Sequence, residues 1–150
     1  MDVLIRPAKT ADIPRMCGLL SELFAIESDF SPDSQKQAKG LSLLLNERSG
    51  LSAVLVAEKG DEIVGMCSVQ MLISTAQGGS VGLLEDLIVR REYRGNGIGT
   101  RLLSEIFRWC DTKNISRLQL LRDADNERGL KFYAGNGWSG TRLVCMRKFL

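Results

Sequence analysis

The sequence predicts one α/β domain of the α+β kind over residues 1–150, with a mixed sheet that is antiparallel early and parallel late. Three observations carry that prediction. Residues 52–89 hold Val- and Ile-rich runs separated by short polar breaks, which reads as an antiparallel meander. A glycine-studded turn, Arg94-Gly-Asn-Gly97-Ile-Gly99, then opens a helical stripe that leads to another apolar run. Strand, helix and strand in succession give a right-handed parallel crossover. Two segments with helical periodicity precede the meander.

In chain order, Val3-Leu-Ile5 is a short strand stopped by Pro7. Thr10 is placed to cap a helix with Asp12 in its first turn, and Ile13, Met16, Leu20, Leu23 and Phe24 recur at helical spacing. Residues 28–33, with Pro32, break that helix. A second helix is expected from Asp33 to Asn46, carrying Leu41, Leu44 and Leu45 and ended by Ser49-Gly50. Ser52 to Glu58 and Glu62 to Ile73 are strands joined through Lys59-Gly60-Asp61, a hairpin signal. After a polar loop, Thr75 to Ser80, a further strand runs from Val81 to Val89. The helix after the glycine turn buries Ile98, Leu102, Leu103, Ile106 and Cys110. Ser116 to Leu121 is a fifth strand, and Asn126 to Ala134 a short helix stopped at Gly135-Asn-Gly137. Thr141 to Phe149 closes the sheet.

Composition narrows the chemistry. At 150 residues, 44% hydrophobic and 25% charged, the chain suits one domain with a core that needs neither disulfide nor metal. A net charge of +2 argues for no nucleic-acid or membrane partner, and no apolar run approaches the roughly 18 residues of a membrane span. The four cysteines, Cys17, Cys67, Cys110 and Cys145, lie far apart and read as small hydrophobes in a reducing compartment. The N-terminus lacks the pattern of a secretory signal, so a cytoplasmic location is expected. With no histidine, His general bases, Ser/His and Cys/His pairs and histidine-ligated zinc are excluded. No metal is expected.

The glycine turn is the most informative stretch. Glycines at 95, 97 and 99 allow positive φ and close approach to bare N–H groups, and the following helix adds its positive end. That combination suits a phosphate or pyrophosphate. A P-loop reading fails, because Gly99 is followed by Thr100-Arg101 rather than Lys-Ser/Thr. A dinucleotide-binding reading is weak, because position 100 is Thr and the turn follows a meander. Arg90, Arg91, Arg94 and Arg101 surround the turn with only Glu92 opposing them; a solvated face would look the same.

Arg94-Gly-Asn-Gly97-Ile-Gly99 resembles the Arg/Gln-x-x-Gly-x-Gly/Ala acyl-CoA signature of the GNAT superfamily of N-acetyltransferases. Downstream, Asn126-Glu-Arg-Gly-Leu-Lys-Phe-Tyr133-Ala-Gly-Asn-Gly-Trp138 resembles that family's Asn…Phe-Tyr…Gly-Phe segment, and the order of elements agrees along essentially the whole chain. The resemblance implies a mixed sheet of six to seven strands with about four helices, its parallel strands splayed apart around acetyl-CoA, the acyl donor. It implies that Leu87, Ile88 and Val89 lie along the pantetheine. The N–H groups of Gly95, Asn96, Gly97, Ile98, Gly99 and Thr100 would hold the pyrophosphate, with Arg94 as a cation. Asn126 would bond the arm from the other wall, and Val89 N–H would meet the thioester oxygen.

The same resemblance makes Tyr133 the general acid toward the departing thiolate, although by itself it reads as a core aromatic ending a short helix. Glu85 is the candidate general base, placed four residues before Val89 and so on the same strand face. Asp86 is its alternative, and either carboxylate could instead orient substrate or be a plain strand residue. Leu-Glu-Asp-x-x-Val at this spacing resembles the polyamine-acetylating branch. Acceptor specificity would reside in Phe24 to Asp33, Ser74 to Ser80 and Ser139 to Arg142. The first holds Phe24, Glu27, Asp29 and Phe30, which suit a small-molecule or peptide amine or are simply polar loop residues. Leu143, Val144 and Met146 would equally serve a homodimer, which family members often form. Three departures stand out: Arg91 for a proline, Gly129 for a commoner alanine, and Trp138 for Phe, read as core packing. Rival readings are an idle CoA-binding or regulatory module and a nucleotide binder using the same turn.

Overall fold

The computed structural model describes residues 2–150, and backbone contacts divide it into two units, the first ending at Leu120 and the second spanning Leu121–Leu150. In the first, strands β1 (Leu4–Pro7), β2 (Ser52–Lys59), β3 (Glu62–Ser74), β4 (Gly79–Val89) and β5 (Leu118–Gln119) form one sheet in chain order. The first three ladders are antiparallel and the β4–β5 ladder is parallel. The β2–β3 hairpin turns through Gly60, whose φ of 57° suits the residue placed there. Gly97 likewise has φ 75° where helix α3 (Ile98–Thr112) begins.

Strand alternation gives the sheet two apolar faces. Val54, Val56, Met66 and Ile88 face helices α1 (Ile13–Ile26) and α2 (Ser34–Asn46), burying Met16, Leu19, Leu20 and Leu41 with them. The opposite face receives α3: a Cβ on Gly65 would lie 3.3 Å from Leu102 Cδ1 and 3.2 Å from the Ile88 carbonyl oxygen. The missing side chain lets that helix close on β3. Buried Gln37 joins the two N-terminal helices, donating to the Cys17 carbonyl at 2.9 Å and to Ser21 Oγ at 3.1 Å.

Helix starts follow local side-chain chemistry. Asp33 caps α2 by accepting the Lys36 N–H at 3.1 Å. At α1 the expected Thr10 cap is displaced by a 3-10 turn, Thr10–Asp12, because the Asp12 carboxylate reaches back to the Lys9 N–H at 2.7 Å. Arg6 donates to both oxygens of Asp12 at 2.8 and 3.0 Å and of Glu58 at 2.8 and 2.9 Å, tying β1 to β2 and to the helix start.

In the second unit, helix α4 (Glu127–Gly135) starts at Asn126, whose side-chain oxygen accepts the Gly129 N–H at 2.9 Å. A Cβ on residue 129 would sit 2.6 Å from Asn126 Nδ2, so glycine there makes room for the cap and offsets its ~1 kcal/mol helix cost. Tyr133 contacts Phe132 and Trp138 edge-on, with ring centroids 5.2 and 5.8 Å apart.

The sheet has five strands among the described residues, fewer than the six to seven expected. The fifth strand is two residues rather than six, since it leaves β4 after Leu83. The expected C-terminal strand is absent: residues 139–150 carry no ladder, although their alternation is strand-like. Pattern alone does not supply the neighbouring edge that a strand's N–H and C=O groups require.

Candidate active site

The site is set by two interruptions of β4. On one edge, β5 pairs with Gly82 and Leu83 only, and past Leu83 that edge of β4 has no strand partner among the described residues. The vertex is tight, because a Cβ on Gly82 would lie 2.6 Å from Leu118 Cδ2 and 3.1 Å from Val69 Cγ2. On the other edge, Glu85 lies opposite Ser68 and Ile88 opposite Met66, three steps on β4 against two on β3. One extra residue is therefore bulged out, and Asp86, with φ 56°, adopts the left-handed conformation there.

The bulge reverses which edge each N–H faces. Gly82 N–H points toward β5, donating to the Arg117 carbonyl at 2.9 Å, while Arg90 N–H points toward β3 and the Val64 carbonyl at 2.8 Å. Both positions are even-numbered, so the alternation has slipped by one between them. Past the bulge it is Leu87 and Val89 that turn their N–H groups to the edge β5 has left. The bulge also corrects the face expected for Glu85: its cross-strand partner places it with Ile88, on the α1/α2 side, and not with Val89.

Two carboxylates thus sit together at the bulge. Glu85 is exposed, and its backbone carbonyl accepts from the buried Ser68 hydroxyl at 3.3 Å. Asp86 is half-buried, and burial first, then the charges of Glu85 and of Glu27, pushes its carboxyl up to about 7. Glu27 ends α1, and the Phe24 and Phe30 rings lie beside each other at 5.4 Å. Of the 24–33 connection, Glu27 is therefore close enough to the bulge for its charge to act on Asp86.

The glycine turn lies at the far end of β4. Gly95 and Gly97 have φ of 79° and 75°, and a Cβ at either would meet nothing within 4 Å, which leaves the backbone open to a ligand. The helix that starts at Gly97 leaves its first N–H groups without intrahelical acceptors. Arg94 is engaged locally: its Nε donates to the Val89 carbonyl at 2.7 Å and its guanidinium lies 3.5 Å from Glu22. Glu22 also accepts the Arg91 N–H at 3.2 Å. The sequence reading missed Glu22 and Ser68; each is a polar residue interrupting an apolar stripe, which was the available signal.

Asn126 and Tyr133 belong to the second unit, where Asn126 spends its oxygen on the helix cap and Tyr133 is half-buried beside Trp138. Cys17, Cys67 and Cys110 are buried, and burial raises their thiol pKa values, Cys110 to about 11, the reverse of what a nucleophile needs. No helix of the described residues is long and apolar enough to cross a membrane.

The site is thus framed by a fourth strand that loses its parallel partner after Leu83, is bulged beside that gap and leads into a glycine-opened helix. Residues 19–138 match the family model described as Acetyltransferase (GNAT) family, and the chain belongs to that family. Thialysine N-epsilon-acetyltransferase from Bos taurus is 30% identical over 142 residues, covering 90% of this chain and 83% of the relative. A possible acetyltransferase from Clostridium difficile 630 superposes with TM-score 0.84 at 20% identity, over 99% of this chain and 97% of that one. Glucosamine-6-phosphate N-acetyltransferase from Arabidopsis thaliana gives TM-score 0.78 at 18% identity, over 99% of both chains. The two structures share the fold.

Proposed function

We propose that the protein transfers an acetyl group from acetyl-CoA to a primary amine of a small molecule or peptide, by direct attack within a ternary complex. The observation that carries this reading is the one-residue bulge of β4, which turns Val89 N–H to a strand edge left without a partner. The pantetheine arm would lie along Leu87, Ile88 and Val89 as an added strand. The pyrophosphate would meet the N–H groups of residues 95–100, with Arg94 nearby. Val89 N–H would then face the oxygen on which negative charge grows, a donor worth on the order of 10²–10³ in rate.

Asp86 is the better placed of the two carboxylates to act as base. A carboxyl titrating near 7 is matched to removing a proton from an incoming ammonium, which contributes about 10²–10⁴-fold. Glu85, beside it, helps hold Asp86 in that range and is the alternative base. The freed amine attacks the thioester carbon, the C–S bond breaks, and the thiolate takes the Tyr133 phenolic proton. Asn126 would bond the arm. The acids at 27, 85 and 86 favour a cationic acceptor, in keeping with a relative named for acetylating the ε nitrogen of thialysine.

Thermal-shift measurements with CoA, acetyl-CoA, ATP and NAD, followed by an amine panel read by free-thiol release, test the reading. Stabilisation by the CoA species alone and thiol release with a cationic primary amine are expected. Stabilisation by ATP or NAD instead would overturn it, and CoA binding without turnover on any amine would leave a non-catalytic acyl-CoA-binding module.

A further inference from the structure

Glu22 interrupts the apolar stripe of α1 among Leu19, Leu20 and Leu23, which pack into the core with Ile88 of β4. A helix anchored by such close packing holds the half-buried Glu22 in a fixed place relative to that strand. Its oxygen Oε1 accepts the Arg91 N–H at 3.2 Å and lies 3.5 Å from Arg94 Nη2. Arg91 opens, and Arg94 follows, the 3-10 turn Arg91–Tyr93 that joins β4 to the glycine turn. One atom of α1 therefore grips both ends of that connection.

The same guanidinium reaches back to the strand. Arg94 Nε donates to the Val89 carbonyl at 2.7 Å, a short charge-assisted bond. A strand residue turns its N–H and C=O to the same edge, so this carbonyl lies on the edge that β5 has left. Arg94 already occupies it, and an arriving strand finds the N–H as the open group at Val89. A rigid guanidinium fork thus links α1 to the residue whose amide would meet the thioester. One acetyl-CoA molecule must reach Val89 with its thioester and the glycine turn with its pyrophosphate. The segment 90–94 between them therefore sets where the thioester comes to rest.

Given the transferase reading, on which this rests, we infer that Glu22 is a positioning residue: it fixes Arg94 and the 91–94 turn, and through them the aim of Val89 N–H at the thioester oxygen. Both contacts fall on a single oxygen, so a glutamine keeps them and drops only the charge, whereas alanine or methionine removes them. Misaiming an oxyanion donor, itself worth on the order of 10²–10³, lowers turnover rather than cofactor affinity. Removing a negative charge beside an anion site does not weaken that site either.

The test compares Glu22→Gln, Glu22→Ala and Glu22→Met in the full chain. Turnover is read by free-thiol release, acetyl-CoA affinity by calorimetry, and the Val89 amide by NMR of ligand-free protein carrying isotope-labelled valine. Alanine and methionine are strong helix formers, so both variants should fold. Each should lose about tenfold or more in kcat, bind acetyl-CoA no more weakly than wild type, and shift the Val89 amide resonance. Glu22→Gln should keep kcat within about twofold and leave that resonance in place. Wild-type kcat in the alanine variant overturns the inference, as do equal losses in all three variants or a Val89 amide that none of them moves. A lowered melting temperature with unchanged kcat also overturns it, since Glu22 then only ties a helix to a turn. Failure of the transferase reading looks different: wild type too would release no thiol, and the Val89 amide would then decide whether the tether exists.

Discussion

Replacing Asp86 by Asn isolates the most consequential charge in the site. The amide keeps the side chain's shape and tolerates the left-handed backbone at φ 56°, so the bulge should survive. A carboxyl that titrates near 7 when folded and near 3.8 when unfolded binds more protons in the folded state across that window. Stability therefore falls as pH rises from about 4 to about 7, then levels off. At ~1.4 kcal/mol per pH unit, holding Asp86 ionised at pH 8 costs on the order of 4 kcal/mol. Urea unfolding of wild type and Asp86→Asn at a series of pH values should give nearly equal stabilities at pH 4, with the variant ahead by several kcal/mol at pH 8. Its acetyl transfer should drop by about 10²-fold or more, and the acidic limb of kcat/KM near 7 should vanish. Parallel stability profiles at all pH values would mean that Asp86 is an ordinary solvated carboxylate, and the reasoning about the base would fail with it.

Three further outcomes follow from the same geometry. Tyr133→Phe should lower kcat about 10²-fold while leaving the acetyl-CoA dissociation constant nearly unchanged; equal losses in both would make Tyr133 a binding residue. Gly97→Val places a branched residue at φ 75°, a strain of about 1–2 kcal/mol, and should weaken acetyl-CoA binding at least tenfold by calorimetry. Unchanged affinity would remove the helix start from the cofactor site. Arg6→Met strands the buried Asp12 carboxylate and should destabilise the fold by ~3 kcal/mol at pH 7. Hydrogen bonding from Arg6 lowers the Asp12 pKa, so that stability is present above the unfolded value of 3.8 and lost as pH falls through the folded one. The deficit of the variant, measured by urea unfolding, should therefore shrink below about pH 4.

Local features were the legible ones. The hairpin at Gly60 and the turn at Gly95 and Gly97 could be read because each rests on a glycine with positive φ. The α3 stripe could be read because Ile98, Leu102, Leu103 and Ile106 recur with the helical period, and all are buried. The bulge was not legible: it depends on how Ser68 and Met66 of a neighbouring strand align with β4, and an aspartate at φ 56° leaves only a faint local mark. The raised pKa of Asp86 was hidden for the same reason, since it needs Glu27 brought in from the end of another element. For residues 141–149 the alternation was visible but the edge it would pair with was not.

The single surplus residue at position 86 makes the stretch from Glu85 to Val89 a counting device. Removing that residue would leave Glu85 opposite Ser68 and Ile88 opposite Met66 on a straight strand, so the amide of Val89 would keep its edge while the left-handed position that carries Asp86 would disappear. A one-residue deletion in this stretch should therefore spare the ladder on either side and remove only the placement of the carboxylate.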